Sequence, residues 1–316
     1  MKRIYVIHEN DAWLVPLREA FRHYDLPFTE WFLNEGTVPF DDVPPEGVFY
    51  NRMSASSHTR GHRYGPELAA CVLTWLRRHG RRIVNGPTAL DLEVSKMRQY
   101  SGLAAHGIRV PKTVAAVGRQ QIIEAADAFG YPLILKPNRG GKGLGVRLFR
   151  SSEELRGAVN ADDFDAGIDG VMLVQEIIEG PEPVIIRNEF VGGRFHYAVK
   201  VDTGGGFELC PADACEIGEA ACPVGEEPDQ VVSAPRFEVM DGFEHPVHAK
   251  LEAFLAAQDI EVAGCEMIID HSGLEWVYDV NTNTNYNSTA EVAAGYAGTD
   301  RAGMMGLAKF LGGLLQ

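Results

Sequence analysis

Residues 131–150 read YPLILKPNRGGKGLGVRLFR, an apolar strand that ends in Lys136, a loop rich in glycine, and a second strand. The loop glycines are Gly140, Gly141, Gly143 and Gly145. Glycines at this density let a backbone approach a ligand closely, and exposed N–H groups in such a loop suit an anion such as phosphate. Lys136 and Lys142 add positive charge. A glycine hairpin without a ligand explains the glycines, but it does not explain a lysine inside the apolar run LILKP.

The two standard nucleotide motifs do not fit this loop. Lys142 is followed by Gly143 where a P-loop requires Ser or Thr, and no frame matches G-x-G-x-x-G. The surrounding residues 113–176 read as strand, helix, strand, glycine loop, strand, helix and strand. We therefore predict a compact α+β lid in which the glycine loop covers a ligand.

The composition is that of a soluble globular protein with room for two or three domains, at 316 residues, 45% hydrophobic and 23% charged. A formal net charge of −15 argues against sequence-independent binding to nucleic acid, because a polyanion is repelled. No segment approaches the roughly 18 apolar residues of a membrane span. We expect a cytoplasmic protein without a nucleic-acid or membrane partner.

Five cysteines, an odd number, fit a reducing compartment. Cys210, Cys215 and Cys222 lie in a stretch, residues 204–236, that has many Gly and Pro residues and little periodicity. Their spacing is not C-x-x-C, and no histidine has ligand-like spacing beside them. Free thiols in a loop and a structural zinc site both remain open for these cysteines.

The first part of the chain predicts a parallel α/β unit. Apolar strands at 3–8 and 47–51 alternate with amphipathic helices at 12–24 and 66–79. Ligands of such units bind beyond the carboxyl ends of the strands, and the loop at 51–64 follows one of these ends. Arginine pairs with a carboxylate at two points. An anchor for an anionic substrate and a solvated loop both remain open for the three arginines of this loop, Arg52, Arg60 and Arg63.

Two further stretches carry polar groups beside apolar runs. A helix that starts at Asp91 and ends at Gly107 has Lys96 near its start, where a solvated charge is the ordinary interpretation. The buried strand in residues 171–182 meets acidic groups and a Gly-Pro turn. Its edge can offer main-chain groups to an adenine ring while Glu182 holds ribose hydroxyls, although an exposed acidic turn explains the same pattern.

Two hairpins follow. Residues 185–202 turn at Gly192-Gly193 and carry Arg187 and Lys200 on their two arms. The later one contains an acidic pair, Glu266 and Asp279. Closing it with a two-residue loop at Ser272-Gly273 places these two carboxylates directly opposite each other.

Opposed carboxylates repel unless a cation lies between them. Asn281 is two residues after Asp279, so it shares the face of that residue. Three oxygen donors at one end of a hairpin predict a Mg²⁺ site shared with nucleotide phosphates, with an exposed acidic face as the alternative.

These stretches resemble the ATP-grasp superfamily and, within it, the carboxylate–amine ligases of the ribosomal-protein glutamate ligase and glutathione synthetase kind. The most specific matches are LILKPNRGGKGLGV, VQEIIEGPE and the pair formed by Glu266 and YDVN. The resemblance implies the ATP-grasp fold, α/β and α+β, in three parts. These are an α/β pre-ATP-grasp domain at 1–110, an α+β lid with the glycine-rich loop at 111–176, and an antiparallel-sheet C-terminal domain with the metal site at 177–316.

The resemblance also implies residue roles. By similarity, Lys96 and Lys136 contact ATP phosphates, and the glycine loop (Gly140, Gly141, Gly143, Gly145) closes over them. The adenine is held by Gln175, Glu176, Ile177 and Ile178, and the ribose by Glu182. Arg187 binds the transferred phosphate, and Lys200 is also assigned to the nucleotide. Lys136 and Arg187 are the catalytic residues. Glu266, Asp279 and Asn281 hold two Mg²⁺ ions, for which Mn²⁺ is an alternative.

The chain also departs from that pattern. The ribosomal-protein ligases have an acidic residue two positions before the arginine, where this chain has Ile185, and their first metal carboxylate is Asp rather than Glu266. Their substrate loop is not matched by NTNTNYNSTAE, which follows Val280. Nucleotide binding is therefore better supported than any particular substrate.

The implied reaction joins a small-molecule carboxylate to an amine. Phosphorylation by ATP converts the carboxylate into an acyl phosphate with a good leaving group, and amine attack gives an amide, ADP and phosphate. A small-molecule kinase and a non-catalytic ATP-binding module are the rivals. A Rossmann oxidoreductase is weaker, since no glycine fingerprint follows the strand at 3–8.

Substrate contacts are the least specific part of the prediction. The usual oligomeric state of the family it resembles makes a homodimer or homotetramer a further expectation. The candidates for substrate contact are Arg52, Arg60, Arg63, Asn285 and Asn287.

Overall fold

The structure is a computed structural model that describes residues 2–141, 143–204 and 236–316. Lys142 and the three cysteines Cys210, Cys215 and Cys222 lie outside the described residues. None of the described helices is long and apolar enough to cross a membrane.

The first sheet is parallel throughout, as strand–helix alternation predicts. Its strands are β1 (Arg3–His8), β2 (Phe28–Phe32), β3 (Gly47–Asn51) and β4 (Arg82–Val84), in the order β2-β1-β3-β4. The sequence analysis did not identify β2, a five-residue edge strand that is only partly buried. The helices of this part are α1 (Val15–His23), after a 3₁₀ turn at Ala12–Leu14, and α2 (Gly65–Arg78), after one at Ser57–Arg60.

The second sheet forms the lid with two helices on it. The strands β5 (Thr113–Ala116), β6 (Leu133–Pro137), β7 (Arg147–Phe149) and β8 (Met172–Gln175) pair antiparallel in the order β5-β8-β6-β7. The helices are α5 (Arg119–Phe129) and α6 (Ser152–Asn160). Their apolar residues form a core of their own, in which Ile122, Leu135 and Leu155 are almost fully buried. The glycine loop connects β6 to β7, where it was predicted.

The third sheet is antiparallel. Its strands are β9 (Val184–Val191), β10 (Arg194–Asp202), β11 (Phe237–Met240), β12 (Val262–Ile269) and β13 (Glu275–Asn281), in the order β11-β10-β9-β12-β13. The helices α7 (Val247–Ala257), α8 (Ser288–Ala293) and α9 (Gly303–Gly313) belong to the same part of the chain. Leu307 and Leu311 of α9 share one core cluster with Leu17 and Phe21 of α1.

The helix predicted from Asp91 onward is two helices, α3 (Pro87–Glu93) and α4 (Lys96–Ala105). Ser95 separates them because its extended backbone and side chain cap α4, accepting a hydrogen bond from the Arg98 backbone N–H. Lys96 is therefore the first residue of a helix. Both helices pack in the core of the third sheet, although they lie within the predicted N-terminal domain. The division into three domains stays a prediction.

The turn between β12 and β13 also differs from its prediction. The structure has a three-residue loop, His271–Gly273, in which the Asp270 N–H donates to the Leu274 carbonyl at 2.9 Å. A bulge inserts Tyr278 as an extra residue on β13, which compensates for the longer loop. Glu266 consequently does lie directly opposite Asp279, as predicted.

Candidate active site

One cavity of about 570 Å³ lies among the three sheets. It is bounded by the glycine loop, the end of the lid strands and the ends of β9, β12 and β13. The volume is in the range of cofactor and small-ligand sites. The structure brings most of the predicted site residues to this cavity: Lys96, Lys136, Gly140, Gly141, Gly143, Gln175, Glu176, Ile177, Ile178, Glu182, Arg187, Glu266, Asp279, Asn281 and Asn285.

The acidic pair and Asn281 converge at one end of the cavity. Asn281 Nδ2 lies 3.3 Å from Asp279 Oδ2 and 3.5 Å from Glu266 Oε1. The two carboxylates provide hard oxygen donors, and Asn281 would add its amide oxygen when the amide turns to exchange its nitrogen and oxygen. The remaining positions of a Mg²⁺ shell are commonly filled by nucleotide phosphates and water. No cluster of three or more His, Cys, Asp or Glu side chains that could hold a metal occurs among the described residues. This donor set therefore fits an ion held jointly with a nucleotide rather than by the protein alone.

In the structure, two side-chain cations offset the charge of the acidic pair. Lys96 Nζ donates to Asp279, and Arg187 Nη1 donates to Glu266 Oε1 at 2.7 Å. Burial raises the pKa of Asp279, but Lys96, Lys136 and Arg187 together hold that pKa below its ordinary value. Burial dominates at Glu266 and raises the pKa of that carboxyl despite Arg187. The repulsion between Glu266 and Asp279, from which the sequence analysis predicted a metal, is thus balanced by these cations.

Lys136 is the third cation and has a different environment. It is 5% exposed at the end of β6, and its ammonium donates to the Tyr100 hydroxyl at 2.7 Å. No carboxylate among the described residues lies within ion-pair distance of it. Burial, with the neighbouring charge of Lys96, lowers the pKa of Lys136 to about 7. A buried ammonium with this environment would gain from an anionic ligand.

The predicted adenine and ribose residues lie at the end of β8 and in the segment that follows it. Gln175 Nε2 donates to the Tyr100 hydroxyl at 3.0 Å and to Thr113 Oγ1 at 2.9 Å, which fixes the end of β8. Glu182 accepts from Lys200 at 2.8 Å in an exposed ion pair, so Lys200 reaches this region through Glu182. Apolar side chains suited to a planar ring line the same side: Ile134, Leu148, Ile185 and Ile268.

A buried network below Arg187 contains a residue that the sequence analysis missed. Glu189 is 1% exposed and accepts from Arg187 Nε at 2.5 Å. Thr284 accepts from Arg187 Nη2 and donates to Glu189, both at 2.7 Å. Although burial opposes the charge of Arg187, the carboxylates of Glu189 and Glu266 hold its pKa above the ordinary value. The signal available in the sequence was the spacing, since residues two apart on a strand share a face.

Each of the three arginines of the predicted anchor bonds to at least one group of the protein itself, and their role in substrate binding stays a prediction. Arg52 is bound by Asn283, Thr284 and Asn285 and is 3% exposed. Arg60 makes a two-point pair with the buried carboxylate of Glu9.

The third guanidinium, that of Arg63, donates to the Ile168 carbonyl at 3.2 Å. Asn287 caps α8 by accepting from the Ala290 N–H at 2.8 Å. The predicted residues that are not part of the cavity lining are Arg52, Arg60, Arg63, Asn287, Gly145 and Lys200.

Comparisons with known proteins agree on one fold. Residues 94–206 match the family model described as the RimK-like ATP-grasp domain. Over 166 residues the chain is 29% identical to beta-citrylglutamate synthase B of Danio rerio, a match that covers 51% of this chain and 39% of that protein. The chain spans about two fifths of the length of the curated relatives it matches.

Solved structures with this fold superimpose over nearly the whole chain. A RimK domain protein ATP-grasp from Sphaerobacter thermophilus superimposes with a TM-score of 0.64 at 18% identity, over 98% of each chain. The ATP-grasp ligase PsnB, in complex with a phosphomimetic variant of a minimal precursor, Mg and ADP, has a TM-score of 0.64 at 15% identity, over 100% of this chain and 99% of that chain.

Proposed function

The chain has the ATP-grasp fold that its sequence predicted, and from this premise we propose that it is an ATP-dependent carboxylate–amine ligase. The observation that carries the proposal is the arrangement of charge in one cavity. The opposed Glu266 and Asp279 have the buried cations Lys136 and Arg187 and the partly buried Lys96 beside them, with the glycine loop at the same cavity. An acceptor carboxylate and a triphosphate both need cations, and a bound metal needs the two carboxylates. This cavity contains the cations and the two carboxylates.

ATP is proposed to bind between the lid and the third sheet. Ile177 and Ile178 at the end of β8 would hold the adenine through main-chain groups, and Glu182 would hold the ribose. Lys96 and Lys136 would contact the phosphates under the glycine loop. Lys96 would then exchange its bond to Asp279 for one to phosphate, which releases that carboxylate.

The residues beside the acidic pair have separable roles in the transfer. Mg²⁺ held by Glu266, Asp279 and Asn281 would supply charge stabilisation to the phosphate oxygens. Arg187 is held at two further points by Glu189 and Thr284, so its guanidinium is preorganised to bind the phosphoryl group as it moves to the substrate carboxylate. The amine then attacks the carbonyl carbon, phosphate leaves, and the amine loses a proton as the amide forms.

The test is a screen for ADP release over pairs of acids and amines, with detection of the condensed product by mass. ADP release that requires both partners, with an amide of the expected mass, supports the ligase. Release with a hydroxyl compound and no amine identifies a kinase instead. ATP binding without ADP release over the whole screen identifies a non-catalytic module.

The low pKa of Lys136 predicts that nucleotide binding takes up a proton. At pH 8 a lysine of pKa about 7 is only about 10% protonated, and the phosphates of a bound nucleotide would raise its pKa and restore the charge. We expect uptake of about 0.9 proton at pH 8 and about 0.1 at pH 6, so the affinity falls as the pH rises above 7. Calorimetry of a non-hydrolysable ATP analogue with Mg²⁺, in buffers of different ionisation enthalpy, measures the uptake.

The control for this experiment separates Lys136 from the ionisation of the nucleotide itself. Lys136→Met should lose the uptake that Lys136 contributes. Lys309→Met removes an exposed lysine paired with Asp300 and should behave as the parent protein does. Equal uptake in all three proteins would contradict the assignment of Lys136 to the phosphates.

A further inference from the structure

A row of polar side chains continues from the metal end of the cavity. Past Asp279, every second residue lines the cavity, namely Asn281, Asn283 and Asn285. The residues between them bond elsewhere, since Thr282 donates to Glu93 at 2.9 Å and Thr284 bonds to the network below Arg187. The row therefore leads from the acidic pair toward the N-terminal part of the cavity, where Trp13, Ser54 and Ser56 line the wall.

Arg52 fixes the last two amides of this row. Its Nε donates to Asn283 Oδ1 at 3.1 Å, and its Nη2 donates to Asn285 Oδ1 at 2.8 Å. The same guanidinium also donates to the carbonyls of Thr284 and Trp13, at 3.0 and 3.3 Å. A guanidinium has only donors, so the amide atom that faces it must be the oxygen. Chemistry thus decides the orientation of both amides.

This orientation sets the polarity of the site. With both amide oxygens bound to Arg52, the amino groups of Asn283 and Asn285 are what remains for a ligand in the cavity. Neither amino group donates to another protein atom among the described residues. An amide amino group can only donate, so the ligand atom beside it must be an acceptor such as a carboxylate or carbonyl oxygen. A substrate ammonium would find no acceptor at these two groups.

We propose that Asn283 and Asn285 bind the carboxylate-bearing substrate through their amino groups, and that Arg52 is the positioning residue that keeps both amides in this orientation. The proposal rests on the proposed ligase function, and it assigns the acid rather than the amine to this end of the cavity. It replaces the earlier prediction in which Arg52 itself bound the substrate.

The sharpest variants are Asn283→Asp and Asn285→Asp. Each keeps an oxygen for Arg52 and the shape of the side chain, but replaces the donor with an anionic acceptor. We expect the KM for the acid to rise at least about tenfold in each variant, while the KM values for ATP and amine stay within about twofold. Asn34→Asp adds the same charge at an exposed position and serves as the matched control.

The probe is the acid that supports the fastest ADP release among the proteinogenic L-amino acids and short dicarboxylic acids, with hydroxylamine as the amine. An unchanged KM for this acid in both variants overturns the proposal. A rise in the KM for hydroxylamine instead of the acid overturns it as well, because it would place the amine at this end.

The role of Arg52 is tested by measuring which substrate has a changed KM in Arg52 variants. Arg52→Met and Arg52→Lys should both raise the KM for the acid, because one ammonium cannot hold two amide oxygens as the planar fork does. A purely structural role would lower the active fraction, and so kcat, with all KM values unchanged. That result, in variants whose circular dichroism matches that of the parent, overturns the positioning role.

If no acid supports ADP release, the proposed function fails and the polarity of the site is still measurable. The side-chain amino resonances of Asn283 and Asn285, in protein labelled with ¹⁵N at asparagine, are assigned by the two Asp variants. Both resonances should shift on titration with glutarate. They should not shift with cadaverine, whose chain has the same length but carries ammonium groups instead of carboxylates. No shift with glutarate, or an equal shift with cadaverine, overturns the inference.

Discussion

Replacement of Asp279 by Asn is expected to lower ATP-dependent turnover by at least about 10³-fold while the protein stays folded. The amide retains the shape of the side chain and an oxygen for the Lys96 ammonium. It removes one of the two carboxylates that face each other across β12 and β13. ADP release at saturating Mg²⁺ measures the loss, and circular dichroism with thermal melting measures the fold.

The matched control is Asp270→Asn on the same hairpin. Asp270 accepts from the backbone N–H groups of Ser272 and Leu274 at one oxygen and from Trp276 at the other, so an amide oxygen can keep the turn bonds while the bond from Trp276 is lost. This variant removes the same charge from the same element and should retain turnover. Near-normal activity in Asp279→Asn, or equal losses in the two variants, would remove the basis for placing a metal at the acidic pair.

Replacement of Arg187 by Met is expected to abolish turnover and to destabilise the fold by about 3–5 kcal/mol. Arg187 is 6% exposed and its guanidinium lies between the carboxylates of Glu189 and Glu266, so its removal leaves one buried and one partly buried carboxylate without their cationic partner. Denaturant unfolding measures the free-energy change, and ADP release measures the activity.

A second substitution separates the two effects of Arg187. In the double variant Arg187→Met/Glu189→Gln, the charge of Glu189 is removed together with that of Arg187. Part of the lost stability should therefore return, while turnover stays absent. Arg194→Met is the control on the same hairpin, because it breaks an exposed pair with Glu252 and should cost under about 1 kcal/mol. Recovery of activity in the double variant would show that Arg187 acts through stability alone.

The parts of the site that could be predicted are those that depend on local pairing. The opposition of Glu266 and Asp279 follows from one hairpin, and the prediction succeeded even though the loop is a residue longer, because the bulge at Tyr278 restores the register. The glycine loop and Lys136 likewise lie within one strand–loop–strand unit.

The parts that were missed depend on contacts between distant segments. Arg52 meets Asn285 across 233 positions of sequence, and no local pattern distinguishes a buried arginine with amide partners from one that awaits a substrate. Glu189 was missed because its place on the same face of β9 as Arg187, two residues away, was not considered. The break between α3 and α4 needed the cap at Ser95, which a continuous helical pattern obscured.

The shared core of α1 and α9 has a consequence for how the chain is made. Leu17 and Phe21 pack in the same cluster as Leu307 and Leu311, so the first helix obtains these neighbours only after nearly three hundred further residues have been synthesised. Domains generally fold as they leave the ribosome, beginning at the N-terminus. Here the lid, whose core is its own, can complete its fold during translation, whereas the face of the N-terminal sheet that α1 covers is completed only when α9 arrives.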